Sequence, residues 1–221
     1  MNCVLYIMEF TRRLPVYLLI DTSGSMAGEP ATAVEQGIKA LIAELKSDPQ
    51  ALETAYLSVI TFSSKAVQQQ PLTELMMFDE PSIEAGGATS LGAALNLLIE
   101  CINREVRNST AKHKGDWKPL VFILTDGIPT DILVFTQAVK DIKNAKIANI
   151  VACAAGSGAD VMYLKQITDN VLLMNNLTAG DLAQFFAWVS SSVKMTSRSV
   201  ELAPAKEDIL PPLPQGFIIV E

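Results

Sequence analysis

Two uninterrupted apolar runs, each closed by an aspartate, limit the folds open to this chain. One reads Pro15-Val-Tyr-Leu-Leu-Ile-Asp21 and the other reads Pro119-Leu-Val-Phe-Ile-Leu-Thr-Asp126. A strand that is apolar at every position must be buried on both faces, which is typical of central strands in a parallel sheet covered by helices. The chain has 221 residues, of which 49% are hydrophobic and 19% charged, so it can supply the core that such a sheet needs.

Strand and helix patterns alternate along the rest of the chain. Further strands are predicted at 55–63, 66–78, 148–154 and 171–174, and helices near 30–45, 91–106, 131–145, 161–167 and 178–193. Segment 66–78 is more polar and contains Pro71, which favours an edge strand, and Met76 and Met77 are expected to pack within it. The sequence therefore predicts an α/β fold with a doubly wound, mostly parallel, six-stranded sheet and helices on both faces.

Charge and residue usage exclude several classes of function. The net charge is −7 and the pI about 4.8, whereas nucleic-acid binding normally needs a basic surface. The single histidine, His113, falls in a polar loop and rules out a histidine-rich metal centre. Cys3, Cys101 and Cys153 are odd in number and far apart, so we expect no disulfide framework and a reducing, cytoplasmic setting. Cys101 and Cys153 lie in apolar stretches and are predicted to be core residues.

The two ends differ from the middle. Residues 1–11 form a fairly apolar N-terminal extension. Its apolar run has no basic residue before it, unlike a signal peptide, and is too short to span a bilayer. Met8 is an alternative start. One domain is predicted over 12–196, followed by a tail over 197–221 that contains Pro204, Pro211, Pro212 and Pro214. The apolar residues that end this tail either fold back onto the domain or bind something else.

Five oxygen-bearing side chains are candidates for a common site. Asp21 and Asp126 close two predicted strands, and ligands of open parallel sheets bind at the carboxyl ends of the strands. Ser23 and Ser25 are two residues apart in the loop after Asp21, so an extended turn would point both hydroxyls the same way. Thr89 lies in a glycine-flanked loop at a helix start that could reach the same crevice.

Two carboxylates and three hydroxyls, without sulfur or imidazole, suit a hard cation. We expect Mg²⁺, with Mn²⁺ and Ca²⁺ as alternatives, and an open coordination position that accepts an Asp or Glu from a protein partner. Asp21 or Asp126 alone could equally be a helix cap or a turn former, and Ser23, Ser25 or Thr89 alone would more often be a loop or cap residue. Their combination favours the metal site.

The motif Asp21-Thr-Ser23-Gly-Ser25, followed in order by Thr89 and Asp126, resembles the metal-ion-dependent adhesion site of von Willebrand factor A-type (VWA) domains. The resemblance covers about residues 12–196 and implies a doubly wound sheet with one antiparallel edge strand. It also implies that the three hydroxyls contact the metal, and that the two aspartates act directly or through water. In some members of the family the last helix shifts with the metal shell, which would make 179–193 a moving element here.

Two longer segments resemble bacterial tellurite-resistance VWA proteins of the TerY type. They are the opening Arg12-Arg-Leu-Pro-Val-Tyr-Leu-Leu-Ile-Asp-Thr-Ser-Gly-Ser-Met26 and the later Leu124-Thr-Asp-Gly-Ile-Pro-Thr-Asp131. This resemblance implies a cytosolic adaptor that associates with stress-response partners, including kinase and phosphatase components. It implies a binding protein rather than an enzyme.

Two other functions remain open. A phosphatase could use Asp21 as its nucleophile, but phosphoaspartate enzymes of the haloacid-dehalogenase type need a second acid two residues later, where this chain has Ser23. Neither a Walker lysine nor a G-x-S-x-G elbow is found. Alternatively, the domain is a scaffold and the proline-rich tail, from Pro204 to Pro214, binds the partner.

Overall fold

A computed structural model describes residues 12–111, 113–156, 158–202 and 210–220. Within them a seven-stranded sheet is flanked by six α-helices. The strands are β1 (Leu14–Asp21), β2 (Ala55–Phe62), β3 (Ala66–Glu74), β4 (Leu120–Thr125), β5 (Asn149–Ala155), β6 (Val171–Met174) and β7 (Phe217–Ile219). The helices are α1 (Glu29–Lys46), α2 (Pro49–Thr54), α3 (Leu91–Glu105), α4 (Ile132–Ala145), α5 (Val161–Ile167) and α6 (Ala179–Leu202). The predicted extension over 1–11 lies outside the described residues.

The sheet has the order β3-β2-β1-β4-β5-β6-β7, and its five inner strands are parallel. Side chains alternate across β1, so Val16 and Leu18 pack on one face under α1 and α6, while Tyr17 and Leu19 pack on the other with α3 and α4. All eight residues of β1 are buried. The prediction of a doubly wound α/β sheet with helices on both faces is therefore confirmed. Helices are needed on both faces because the central strands are apolar on both sides.

The predicted strand count was wrong by one. Residues Phe217–Ile219 form β7, which pairs antiparallel with β6, so both edge strands of the sheet are antiparallel, where one was predicted. The three-residue run is too short to be assigned as a strand from its pattern, and its pairing depends on the neighbouring edge. The apolar end of the tail thus folds back onto the domain, and Phe217 is buried.

The end of the third strand also differs from the prediction. β3 stops at Glu74, and Leu75–Met77 form one 3₁₀ turn that directs Leu75 into the core. Met76 and Met77 are 65% and 67% exposed, so the prediction that they pack within a strand was wrong. The apolar pattern continues through this turn, and periodicity alone cannot distinguish it from a strand.

The last helix and the tail pack together on one face of the sheet. Thr178 caps the start of α6, since the amide of Asp181 donates to Thr178 Oγ1 at 3.2 Å and the Thr178 hydroxyl donates to Asp181 Oδ2 at 2.6 Å. The helix continues past residue 196, where the sequence predicts the domain to end, to Leu202. Pro204 lies outside the described residues. The tail is described again from residue 210, and the carbonyl of Pro211 accepts a hydrogen bond from the indole Nε1 of Trp188 at 3.2 Å.

Among the helices of the described residues, none has the length and apolar character that a membrane span requires.

Candidate metal centre

The two aspartates of the predicted site lie side by side at the carboxyl edge of the sheet. Asp21 is the last residue of β1 and Asp126 directly follows β4. The two strands are neighbours, with Ile20 opposite Leu124. Because β1 and β4 are adjacent in the sheet, the two aspartates face a common crevice.

The loop after β1 turns back so that its hydroxyls join the two carboxylates. The amide of Ser23 donates to Asp21 Oδ1 at 2.8 Å, which fixes the turn. The Oγ atoms of Ser23 and Ser25 are 3.1 Å apart, and Ser25 Oγ donates to Asp126 Oδ1 at 2.9 Å. A continuous chain of polar contacts therefore runs from one aspartate to the other through both serines. Ser23 is buried, whereas Ser25 is exposed to solvent.

The glycine loop before α3 brings Thr89 to the same crevice. It docks on the first loop through two backbone hydrogen bonds, from Gly24 N to Gly87 O at 3.0 Å and from Gly86 N to Thr22 O at 2.8 Å. A Cβ built on Gly127 would lie 3.1 Å from Thr89 Oγ1 and 3.8 Å from Asp21 Oδ2. The hydroxyl of Thr89 and the carboxylate of Asp21 thus border one small volume.

Gly87 is required by the geometry of this docking. Its φ of 90° lies in the region that side chains other than glycine rarely adopt. A Cβ there would also overlap Ser64 Oγ, which accepts a hydrogen bond from the amide of Ala88 at 3.1 Å. The small residues around Thr89 therefore permit a close approach of three loops.

Three residues that the sequence argument did not single out hold the site together. Thr125 Oγ1 donates to Asp21 Oδ2 at 2.5 Å, from the neighbouring strand. The amide of Thr130 donates to the carbonyl of Thr89 at 2.8 Å. The carboxylate of Asp131 accepts from the amides of Gly92 and Ala93 at 3.1 and 2.8 Å, at the start of α3. All three belong to the segment 124–131. Their closeness to Asp126 in sequence is the feature from which a role at the site could have been predicted.

The site concentrates negative charge, and no lysine or arginine among the described residues forms a salt bridge with it. The side chain of Asp21 is fully buried, and burial raises its pKa, although hydrogen bonds from Thr125 and Ser23 partly offset this. Burial also raises the pKa of Asp126, against the hydrogen bond from Ser25. None of the ion pairs found among the described residues includes either aspartate. A cation would therefore favour the charged form of both acids.

The donor atoms restrict the kind of metal that could bind. In the part of the chain that the structure describes, no group of three or more His, Cys, Asp and Glu side chains is arranged to hold a metal. The five predicted residues, all of which the fold brings together, instead offer hydroxyl and carboxylate oxygens. Such donors fit hard divalent cations that keep some water in their coordination shell.

The family model for the von Willebrand factor type A domain matches residues 16–187. A doubly wound sheet with a hydroxyl-and-carboxylate crevice at its carboxyl edge is the arrangement that defines this class. The chain belongs to the VWA family, whose members commonly bind proteins in a metal-dependent way through this crevice. A search of curated proteins gave no match.

Solved structures with the same fold come from diverse sources. A VWA protein of Catenulispora acidiphila gives a TM-score of 0.64 at 17% identity, covering 83% of this chain and 43% of its own. The pilus adhesin SpaC of Lactobacillus rhamnosus GG gives 0.66 at 14% identity, covering 84% and 30%. Proximal thread matrix protein 1 of the mussel byssus, described with a zinc-occupied MIDAS (metal-ion-dependent adhesion site) motif, gives 0.58 at 19% identity, covering 86% and 47%. This chain spans half or less of each of these structures, and at such identities the likeness concerns the fold alone.

Proposed function

We propose that this domain binds a divalent cation and, through it, a carboxylate of a protein partner. Ser23, Ser25 and Thr89 hold the metal, while Asp21 and Asp126 act directly or through water. The observation that carries the proposal is the convergence of two uncompensated carboxylates and three hydroxyls on one crevice. When bound, the cation supplies a positive charge that its neutral hydroxyl donors leave largely uncancelled.

The two ends of the polar chain support a site that is closed inside and open outside. Asp21 is fully buried, and both of its carboxylate oxygens accept hydrogen bonds, from Ser23 and Thr125. Toward the other end, Ser25 is exposed and Asp126 is partly exposed. An Asp or Glu side chain from another protein could approach from this outer side without displacing the buried contacts.

Mg²⁺ is the cation that we propose, because it prefers oxygen donors and keeps several waters. Mn²⁺ and Ca²⁺ are the alternatives. The zinc described in the MIDAS motif of the mussel protein supports a divalent ion in this family but does not choose among them.

In the cell, we propose a cytosolic adaptor in a tellurite or stress-response system. The support is the TerY-like sequence of two segments, 12–26 and 124–131, which in this fold carry four of the five site residues. By the same resemblance, candidate partners are kinase and phosphatase components. An exposed glutamate or aspartate on such a partner would complete the metal shell.

The buried position of Asp21 argues against a phosphatase. A phosphoaspartate enzyme needs a carboxylate that can attack a bound phosphoryl group, whereas Asp21 is fully buried and each of its oxygens accepts a hydrogen bond. Each oxygen keeps a second acceptor position, which a small cation or its water needs but which does not admit a phosphoryl group. The docked tail argues against a scaffold that binds through it. Pro211 is buried and its carbonyl accepts from Trp188, so this proline already has an intramolecular partner.

Calorimetric titration with MgCl₂ and MnCl₂ tests the metal site. We expect Ser25→Ala to weaken binding at least about tenfold, with an unchanged circular dichroism spectrum because Ser25 is exposed. Ser47→Ala is the matched control, since Ser47 is also exposed and hydrogen-bonded but lies at the end of α1, outside the site. Equal metal affinities for wild type and Ser25→Ala would refute the assigned ligands.

Partner binding is tested with Asp21→Ala, which we expect to abolish capture of the partner while the domain stays folded. The candidate kinase and phosphatase components are purified and applied to the immobilised domain with Mg²⁺ or with EDTA. Binding that survives both EDTA and Asp21→Ala would contradict the proposed mechanism.

A further inference from the structure

Exposed apolar side chains are concentrated beside the candidate metal centre. Nine large hydrophobic residues in the described part of the chain are exposed, and five of them follow β4 or β5 at the carboxyl edge. These five are Ile128, Ile132, Leu133, Val134 and Met162, and we call them the apolar rim. Ile128 is two residues from Asp126, so the rim begins at the metal centre itself.

Core packing does not account for the rim. α4 buries Phe135, Ala138, Val139 and Ile142, which complete one helical face. Leu133 is 89% exposed and could be polar without any loss to that face. Three consecutive exposed apolar residues at the start of a helix, Ile132 to Val134, are unusual on a monomeric surface and typical of an interaction site.

The loop that carries Ile128 is held by hydrogen bonds on both sides. Asp126 is tied to Ser25 on one side of Ile128, and Thr130 is tied to the carbonyl of Thr89 on the other. Pro129, between them, is buried, so the loop inserts its proline and leaves the isoleucine outside. A surface held in this way loses little conformational entropy when a ligand binds.

The two helices that carry the rim are in contact. The rings of Phe135 in α4 and Tyr163 in α5 meet edge to face, with their centroids 5.8 Å apart. Because each ring is adjacent to a rim residue in sequence, Val134 and Met162 lie on adjoining first turns. The rim therefore extends from the loop after β4 to the start of α5.

We propose that the apolar rim and the metal centre form one docking surface, and that its ligand is a protein segment in which an Asp or Glu is flanked by apolar residues. This proposal rests on the proposed function. The acid would bind the cation, and apolar side chains within a few positions of it would cover the rim, since an extended chain advances about 3.3 Å per residue.

The division of roles follows from what each part can discriminate. Nearly every protein surface offers aspartates and glutamates, so a cation alone cannot select among partners. Burying a leucine-sized side chain at the rim contributes about tenfold or more in affinity, and only ligands with apolar flanks gain it. The metal would thus provide attachment, and the rim would provide selection.

A synthetic peptide array tests the proposal with defined probes. Nonapeptides carry a central Glu, with flanking positions varied among Leu, Phe, Ser and Lys, and are exposed to the full chain in Mg²⁺ or EDTA. The test variant is Ile128→Thr combined with Leu133→Gln, both at exposed positions. The matched control is Met77→Gln, which removes an apolar side chain whose exposure lies between those of Ile128 and Leu133, from the turn after β3 at the opposite edge of the sheet.

We expect wild type and Met77→Gln to prefer apolar flanks in Mg²⁺, and the double variant to lose about tenfold in affinity for those peptides while its calorimetric Mg²⁺ affinity is unchanged. Mg²⁺-dependent binding without a preference for apolar flanks, or an unchanged preference in the double variant, would overturn this inference and leave the proposed function standing. Absence of any Mg²⁺-dependent peptide binding by wild type would overturn both.

A second copy of the chain is the competing occupant of the rim. Sedimentation of wild type and the double variant distinguishes it. A dimer that dissociates in the double variant would overturn the proposal of a flanked acidic ligand, whereas monomers in both cases agree with it.

Discussion

Replacing Thr125 by valine should weaken metal binding although none of the five proposed site residues is substituted. Thr125 is 1% exposed, and its hydroxyl donates to Asp21 Oδ2 at 2.5 Å from the neighbouring strand. Valine has nearly the same shape, and a β-branched residue suits the strand equally well. The substitution therefore removes one donor from a buried carboxylate and leaves the packing intact.

The size of the effect follows from the charge and burial of Asp21. A hydrogen bond to a charged group contributes about 1.5–3 kcal/mol, and valine offers the buried carboxylate of Asp21 no donor in place of the lost hydroxyl. For a domain of this size, that loss corresponds to a fall in melting temperature of about 3–12 °C. Metal affinity should fall about 10- to 100-fold, as for other residues that orient a ligand from outside the metal shell.

The loss of stability should also depend on pH. Burial raises the pKa of Asp21, and the bond from Thr125 partly offsets that rise, so Thr125→Val raises the pKa further. The difference in unfolding free energy between wild type and variant is therefore largest at pH values where wild-type Asp21 is ionised. It shrinks as the pH falls through that pKa, because both proteins then hold a neutral carboxyl group.

Urea unfolding of the metal-free proteins and calorimetric titration with Mg²⁺ measure the two effects. Thr54→Val is the matched control, because Thr54 is 2% exposed and donates to a neutral backbone carbonyl in α2. It should cost about 0.5–1.5 kcal/mol and leave Mg²⁺ affinity unchanged. If Thr125→Val binds Mg²⁺ as tightly as Thr54→Val does, Thr125 does not position Asp21 for the metal and the reasoning fails.

Three further predictions concern charge, packing and the tail. Because the pKa of Asp21 is raised, the unfolding free energy of the metal-free wild type should fall as the pH rises through that pKa. Asp21→Asn should abolish this fall, as measured by urea unfolding at several pH values. Gly37→Ala should lower the unfolding free energy by about 1–3 kcal/mol, because a Cβ there overlaps the ring of Phe186; an unchanged urea midpoint would show that α1 and α6 can separate freely. Deleting residues 210–221 should lower the melting temperature, because it exposes the edge of β6 and removes the buried Phe217, worth about 1.5–3 kcal/mol alone; an unchanged calorimetric scan would contradict this.

The central fold could be predicted from the sequence because β1 and β4 are apolar on both faces, which only a doubly covered sheet explains. α2 and β7 could not. α2 depends on a local cap, in which Asp48 accepts from the amide of Ala51, and it is only six residues long. β7 depends on an edge that forms when β6 joins the sheet. Short elements follow tertiary contacts more than their own pattern.

The candidate site also has a part that could be predicted from the sequence and a part that could not. Asp21, Ser23 and Ser25 are close in sequence, so their spacing already indicated a shared direction. Thr125 and Asp131 act across long separations, with Thr125 reaching Asp21 and Asp131 reaching the start of α3. No spacing rule connects such pairs, because the contact exists only when two strands or two loops have been brought side by side. A sequence therefore reveals groups that share a loop more readily than residues that orient them from another element.

If the site binds an acidic partner as proposed, its charge makes the cation decisive. Without metal, Asp21 and Asp126 present negative charge at the edge of a chain with net charge −7, and an incoming carboxylate is repelled. With a divalent cation bound as proposed, this repulsion would be offset and an open coordination position would attract the same carboxylate. Metal binding would thus reverse the sign of the interaction rather than strengthen an existing one. The apolar rim is unaffected by this reversal, so any affinity that survives in EDTA should follow the apolar content of the ligand and not its acidic residue.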